Sequence, residues 1–314
     1  MEAIHTPVLV EEVLRYLAPR GGEELMVDAT LGEGGHSYAF LSRFPDLNII
    51  GVDVDPAIQE IARERLKEFR ERIHFHSGWA RDFLAAYPGD FKRPNSILID
   101  LGISLFHYEK SGRGFSFRKD EALDMRLDPR SGPGAAELIA ALGERELADL
   151  LFRNAEERHS RRIARAIVEA REQGALRSSR ALGDLVEQAV PVSYRNGPVH
   201  AATKTFLALR IAVNGELSRL KDLLEAALRV LEPGGRLGVI SFHSLEDRIV
   251  KGFFRQKSGV STYSPDVPIG SNARTVVVLT PKGVSPTEAE KRANPPSRSA
   301  RLRVAEKIFN KDGP

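Results

Sequence analysis

The chain has 314 residues, with 46 Lys and Arg against 43 Asp and Glu, a formal net charge of +3, and no cysteine. The missing cysteine excludes disulfides, thiolate metal sites, iron–sulfur clusters and a cysteine nucleophile. No apolar run reaches the ~18 residues a membrane helix needs. The first residues also lack the basic and apolar stretches of a signal peptide, so a cytoplasmic protein is expected.

A helix follows Thr6-Pro7, with Val8, Val13, Leu14 and Leu17 as its apolar positions. Residues 24–30, 48–55, 72–76 and 96–102 are short β-type apolar runs and predict four strands. Between the second and third, Asp55-Pro56 predicts a helix start, with Asp as cap and Pro in the first turn. Ile58, Ile61, Ala62, Leu66 and Phe69 follow at helical spacing. Such alternation predicts a parallel sheet covered on both faces.

The rhythm stops at about residue 105. Residues 112–117 and 123–128 predict ordered loops, and 135–142, 144–153, 157–173 and 180–190 predict helices. After Pro198 a long helix is expected over 201–231, ended by Pro233-Gly-Gly235, then a strand at 236–242 and a helix at 244–255. Residues 275–279 and 301–305 predict two last strands, antiparallel to one another and joined by a loop over 281–300. The organisation expected is an α/β domain in two parts, 1–105 and 201–314, with a helical domain at 106–200 inserted between its fourth and fifth strands.

The densest local signal is Asp28-Ala-Thr-Leu-Gly-Glu-Gly-Gly-His36, directly after the first strand. Glycines there let the backbone turn tightly and approach a ligand, and the following helix aims its first N–H groups at the site. Gly32 and Gly34 fit the first two positions of a dinucleotide fingerprint, but Ser37 holds the third, which disfavours a dinucleotide. Asp53, at the end of the second strand, suits the ribose hydroxyls of NAD, FAD or S-adenosylmethionine alike. Asp100 ends the fourth strand on the same carboxyl edge, where open α/β sheets bind ligands. No second glycine fingerprint exists, and the two closing strands suit a methyltransferase sheet; both features favour S-adenosylmethionine.

The glycine loop, Asp100-Leu-Gly-Ile-Ser104, Arg113-Gly-Phe-Ser-Phe117, Leu123-Asp-Met-Arg126, His200-Ala-Ala-Thr-Lys-Thr-Phe206, Leu209-Arg-Ile-Ala-Val-Asn214, Ile240-Ser-Phe-His-Ser-Leu-Glu-Asp-Arg248 and Arg298-Ser-Ala-Arg-Leu-Arg303 occur in this order. Together they resemble the MraW/RsmH family of bacterial methyltransferases, which act on the N4 of a cytidine in small-subunit (16S) ribosomal RNA. The resemblance runs from His5 to Arg303. It implies a Rossmann-like S-adenosylmethionine-dependent methyltransferase sheet with an inserted all-helical domain. It further implies cofactor contacts at Gly34, Gly35, His36, Asp53 and Asp100, and an adenine-facing aromatic at Trp79. Where the family commonly has Ser-Pro-Gln, this chain has Leu105-Phe-His107, which puts His107 in place of a cofactor-contacting glutamine.

The cytosine amine is a weak nucleophile because its lone pair is delocalised into the ring. Catalysis should therefore come largely from placement. Asp100 is the candidate catalytic acceptor for the amine, and Phe242 and His243 are candidates for the base pocket. No metal is required. The target base must be single-stranded or flipped out. Arg113 and Arg126 are the motif candidates for the RNA. Arg158, Arg161, Arg162 and Arg165, with Lys204, Arg210, Arg298, Arg301 and Arg303, are further basic candidates. The +3 averages a net −6 over residues 1–107 with +1 over 108–200 and an excess of +4 in each of 201–257 and 281–314. Such asymmetry points to a polyanion met by part of the chain. The family implies the decoding region of an assembled small subunit as target; no membrane partner is expected, and the sequence leaves the oligomeric state open between a monomer and a homodimer. A non-catalytic RNA-binding assembly factor, or a methyltransferase for another nucleic acid or protein, are the alternatives; intact Gly34-Gly35-His36, Asp53 and Asp100 argue against the first.

Overall fold

A computed structural model describes residues 6–259 and 274–308, so His5 lies outside the described residues. The chain divides into two compact units, Met1–Ile103 with Arg219–Pro314, and Ser104–Ser218.

The first unit is an α/β sandwich around one seven-stranded sheet of order β3-β2-β1-β4-β5-β7-β6. The strands are β1 (Glu24–Asp28), β2 (Leu47–Asp53), β3 (Ile73–Ser77), β4 (Ser96–Asp100), β5 (Arg236–Ser241), β6 (Val276–Val278) and β7 (Arg301–Lys307). β1 to β5 pair in parallel, and β7 runs antiparallel between β5 and β6. Strand side chains alternate between two cores. Val27, Ile50, Val52, Ile97, Ile99 and Val239 pack with Leu220, Leu224, Phe253 and Phe254 on one face. Met26, Ile49, Leu98, Ile240 and Val304 pack with Val13, Leu17, Phe40 and Ala62 on the other. Burial on both faces explains why the central strands read as continuous apolar runs.

The Asp55 side chain caps the helix Pro56–Arg65 by accepting from Ala57 N at 3.0 Å, with Pro at the first turn, as the sequence predicts. Ile58 and Ala62 are buried, but Ile61 is 38% exposed, and Phe69 falls in a separate 3-10 turn, Lys67–Phe69. The stripe that meets the sheet is narrower than the sequence spacing implies. Residues 281–300 are not all loop, because Thr287 caps a helix Glu288–Ala293.

The second unit is helical. The expected single helix over 201–231 is two, Thr203–Asn214 and Glu216–Val230, broken at Gly215, whose φ of 61° is left-handed. Asn214 is 3% exposed; its Nδ2 donates to Met125 O at 2.8 Å, and its Oδ1 accepts from Leu127 N at 2.8 Å. Those bonds tie Thr203–Asn214 to the loop at 123–128. The chain returns to the first unit at residue 219, later than the sequence rhythm implies. Among the described residues no helix is long and apolar enough to cross a membrane.

Arg303 does not reach a partner molecule. It is 3% exposed, and its Nε and Nη2 grip Asp247 Oδ1 and Oδ2 at 2.6 and 3.1 Å, joining β7 to the helix Ser244–Lys257. Arg301, on the same strand, meets Asp247 at only 3.5 Å and its side chain is 43% exposed. Arg303→Ala is expected to cost about 3 kcal/mol of unfolding free energy, since it strands a partly buried carboxylate. Arg301→Ala should cost less than about 1 kcal/mol. Urea denaturation of the two variants checks this, and equal losses would contradict the assignment.

Candidate active site

The register of β2, β1 and β4 builds the site. Asp28 pairs with Gly51 of β2 and with Leu98 of β4. Asp53 and Asp100 therefore each lie one pleat beyond Asp28, on its two sides and on the same face of the sheet. Three carboxylates are thus collected at one strand-end edge, where the chain leaves the sheet and room for a ligand opens.

The glycine loop sits against this edge. Asp53 Oδ2 accepts from Gly32 N at 2.8 Å and Asp53 Oδ1 from Asp55 N at 2.9 Å. Gly34 has φ 76°, and a Cβ there would stand 2.8 Å from the Leu66 side chain, so glycine is required. The helix Gly35–Arg43 starts with no side-chain cap, leaving its first N–H groups for a ligand. His36 Nε2 lies 3.6 Å from Asp100 Oδ2, and Ser37 Oγ donates to Asp28 Oδ2 at 2.7 Å. Thr30 Oγ1 accepts from Asp100 N at 2.6 Å and fixes the strand end.

Burial pushes the Asp28 carboxyl up to about 6; the Ser37 hydroxyl and the His36 imidazole pull it down, and Asp100 adds to the rise. Asp28 Oδ1, both ring nitrogens of His36 and Asp100 Oδ1 are buried without a hydrogen-bond partner among the described residues. Buried polar atoms are normally bonded, so this cluster is built to meet polar groups from outside the chain. A nucleoside cofactor with a cationic centre suits it: Asp53 brings a carboxylate against the loop, the loop offers N–H groups, and Asp28 and Asp100 supply negative charge.

Trp79 follows β3 and starts the helix Ala80–Ala85, and one face of its ring lies under the Arg219 guanidinium at 4.4 Å. The sequence offered no signal for this pair, which is 140 positions apart. Phe242 and His243 follow β5. The Phe242 ring lies on Gly102, where a Cβ would come within 2.6 Å of it. Glu246, which the sequence reading did not single out, is buried and accepts from Phe242 N at 2.8 Å and His243 N at 3.3 Å. Gly34, Gly35, His36, Asp53, Trp79, Asp100, Phe242 and His243 thus all belong to the strand-end edge of the first unit.

The other predicted residues belong to the second unit. His107 is buried on the short helix Leu105–Glu109, edge-on to Phe115 at 5.3 Å. Arg113 Nη1 donates to the carbonyls of Arg126 and Leu127 at 2.8 and 3.1 Å. Arg126 pairs with Asp124, with Nη2 2.6 Å from Oδ2. Both arginines thus brace the loop at 123–128. Arg210 is likewise held, at 2.9 Å from both oxygens of Glu216. Arg158, Arg161 and Arg162 are exposed and form no ion pair among the described residues.

The sequence profile of the MraW methylase family matches residues 2–308. The chain belongs to the MraW methylase family. It is 57% identical over 311 residues to the ribosomal RNA small subunit methyltransferase H of Treponema denticola, covering 98% of each chain. The protein of that name from Treponema pallidum is 43% identical, over 96% of this chain and 92% of that one. The one from Synechococcus elongatus is 44% identical, over 97% and 95%. Membership makes the chain an S-adenosylmethionine-dependent methyltransferase, built on the seven-stranded sheet described above.

The raised Asp28 value has a measurable sign. The fold favours the protonated form, so the native chain binds more protons than the unfolded one between about 3.8 and about 6. The stability this contributes is lost as pH rises through 6. Asp28→Asn removes that loss, so from pH 4 to pH 7.5 the variant should gain about 2–3 kcal/mol relative to the parent chain. Urea denaturation at the two pH values reads it, and pH dependences that run parallel would contradict it.

Proposed function

We propose that this chain transfers a methyl group from S-adenosylmethionine to the N4 amine of one cytidine in 16S ribosomal RNA, in the decoding region of the small subunit. The observation that carries the reading is the trio of strand-end carboxylates, with unbonded buried atoms on Asp28, Asp100 and His36 among the described residues, beside a glycine loop without a side-chain cap, in a member of a methylase family. The names of the relatives support ribosomal RNA of the small subunit as the substrate class.

Bound at this edge, S-adenosylmethionine supplies an electrophilic methyl group. Asp53 holds the ribose hydroxyls, and the N–H groups of Gly35 and His36 hold polar atoms of the same cofactor, while Gly34, whose N–H is held by Leu31 O at 2.8 Å, shapes the turn beside it. Trp79 offers its open ring face to the adenine. Asp100 accepts a hydrogen bond from the target amine, keeps its lone pair turned toward the methyl donor, and takes the proton that the amine loses. Its backbone bond to Thr30 keeps that oxygen from drifting, which matters because catalysis by placement is steeply distance-dependent. Phe242 provides a flat apolar wall for the base, with His243 beside it.

Exposed Arg158, Arg161 and Arg162 contact RNA phosphates, whereas Arg113, Arg126, Arg210 and Arg303 support the fold. A chain with all three exposed arginines changed to alanine should keep its kcat and raise KM for small-subunit RNA about tenfold, with the salt dependence of binding flattened by about 2–3 in log–log slope. A filter-binding series in salt tests this, and an unchanged slope would move the RNA surface elsewhere.

The reading as a whole is tested with S-adenosylmethionine carrying an isotopically labelled methyl group. It is incubated with the chain and either naked 16S RNA or assembled small subunits, followed by mass mapping of nucleosides. Label on the exocyclic nitrogen of one cytidine is expected, with Asp100→Asn slower by about 10² or more. No label in either RNA would overturn the reading.

A further inference from the structure

We propose that Glu246 is a positioning residue that locks the base-side wall of the site, acting through Phe242 on the loop at 100–102. The proposal rests on the reading of Asp100 as the group that meets the target amine.

Glu246 is 2% exposed, and among the described residues its only ion-pair partner is His243, whose Nε2 is 3.1 Å from Oε1. A carboxylate this buried is costly unless its oxygens are bonded. The bonds it makes go beyond helix capping. In a capping box the acid three residues into the helix reaches back to the N-cap amide. Here the bond to that amide, His243 N, is the longer one at 3.3 Å, and the shorter, at 2.8 Å, goes to Phe242 N outside the helix. One carboxylate therefore fixes both residues of the turn that follows β5.

That turn holds the neighbouring loop. Phe242 lies two residues past Ile240, which pairs with Asp100, so its side chain falls on the face that carries Asp100. Its ring fills the place where a side chain at Gly102 would be, 2.6 Å from an added Cβ. Leu101 N donates to Ile240 O at 3.0 Å and Asp100 N to Thr30 Oγ1 at 2.6 Å, pinning the loop by its backbone. The Phe242 ring closes the remaining side. Without the Glu246 anchor the turn is free to relax, the ring leaves Gly102, and the Asp100 carboxylate loses its fixed position. His243 is tied to the same carboxylate through its backbone N–H, so both base-side candidates depend on this one residue. The neighbouring Asp247 turns the other way to clamp Arg303, which anchors the start of this helix to β7 independently of Glu246.

The test uses the full chain with Glu246→Ala, Glu246→Gln, Phe242→Ala and the double variant of Glu246→Ala with Phe242→Ala. Glu246→Ala should lower kcat on small-subunit RNA about 10²-fold, the usual consequence of a misplacement near 1 Å. S-adenosylmethionine affinity by calorimetry should stay within about twofold, a split that general destabilisation would not give. Glu246→Gln keeps an oxygen for the Phe242 amide and should recover at least about tenfold of the loss. Phe242→Ala should lose as much as Glu246→Ala, and the double variant no more than either, as residues acting as a unit behave. Amide hydrogen exchange reads the lock without turnover: Leu101, Phe242 and His243 should exchange about tenfold faster or more in Glu246→Ala.

A Glu246→Ala kcat within about twofold of the parent, or losses that add in the double variant, overturns the lock. If Glu246→Ala fails to fold, Glu246→Gln and Phe242→Ala decide, and a parental kcat in Phe242→Ala overturns it. If the parent chain methylates no RNA, the functional reading fails. The exchange rates then decide the lock alone, with unchanged rates at Leu101 overturning it.

Discussion

The parallel register of three central strands is the constraint on which the rest of the site depends. Asp28 is level with Gly51 and Leu98, and one pleat further on the chain places Asp53 and Asp100 on either side of it. A slip of one residue in either pairing would turn that carboxylate to the opposite face of the sheet. The register is secured by burial on both faces, because a shift would also move Ile49, Ile50, Leu98 and Ile99 into the wrong core. The hydrophobic pattern that makes the sheet thus also aims the acids. The accompanying strain is electrostatic, and it falls on Asp28, the most buried of the three.

Much of this was legible in the sequence because strand ends carry their own markers. Each of the seven strands coincides with an apolar run, and Asp55-Pro56 caps its helix as its chemistry requires. The glycine loop declared itself by composition. What was not legible is what depends on distant partners. Arg219 over Trp79 and Asp247 with Arg303 join positions that no local pattern connects. The break at Gly215 was hidden because the apolar spacing continues through it, while one left-handed residue redirects the chain. Glu246 drew no separate notice in its motif, and only its burial and its second bond reveal a further role.

The basic residues show how charge and motif diverge. The charge asymmetry and the motif arginines pointed to a polyanion met by part of the chain. Yet Arg113, Arg126, Arg210 and Arg303 each donate hydrogen bonds to carbonyls or carboxylates within their own units. An arginine fork is well suited to such bracing, since several donors in a rigid plane can fix a loop at once. The arginines left exposed and unpaired at the start of the helix Ser160–Glu172 have no comparable structural task. They sit at the positive end of that helix, where cations are disfavoured.

The seat proposed for S-adenosylmethionine is built by the strand-end acids. It is tested most directly by calorimetric titration of the cofactor into the parent chain and into Asp53→Asn. The parent should bind one equivalent. The variant, which keeps the shape but loses the charge and half of the acceptors facing the ribose, should bind at least about tenfold more weakly. Equal affinities, or no binding to the parent chain, would contradict the claim.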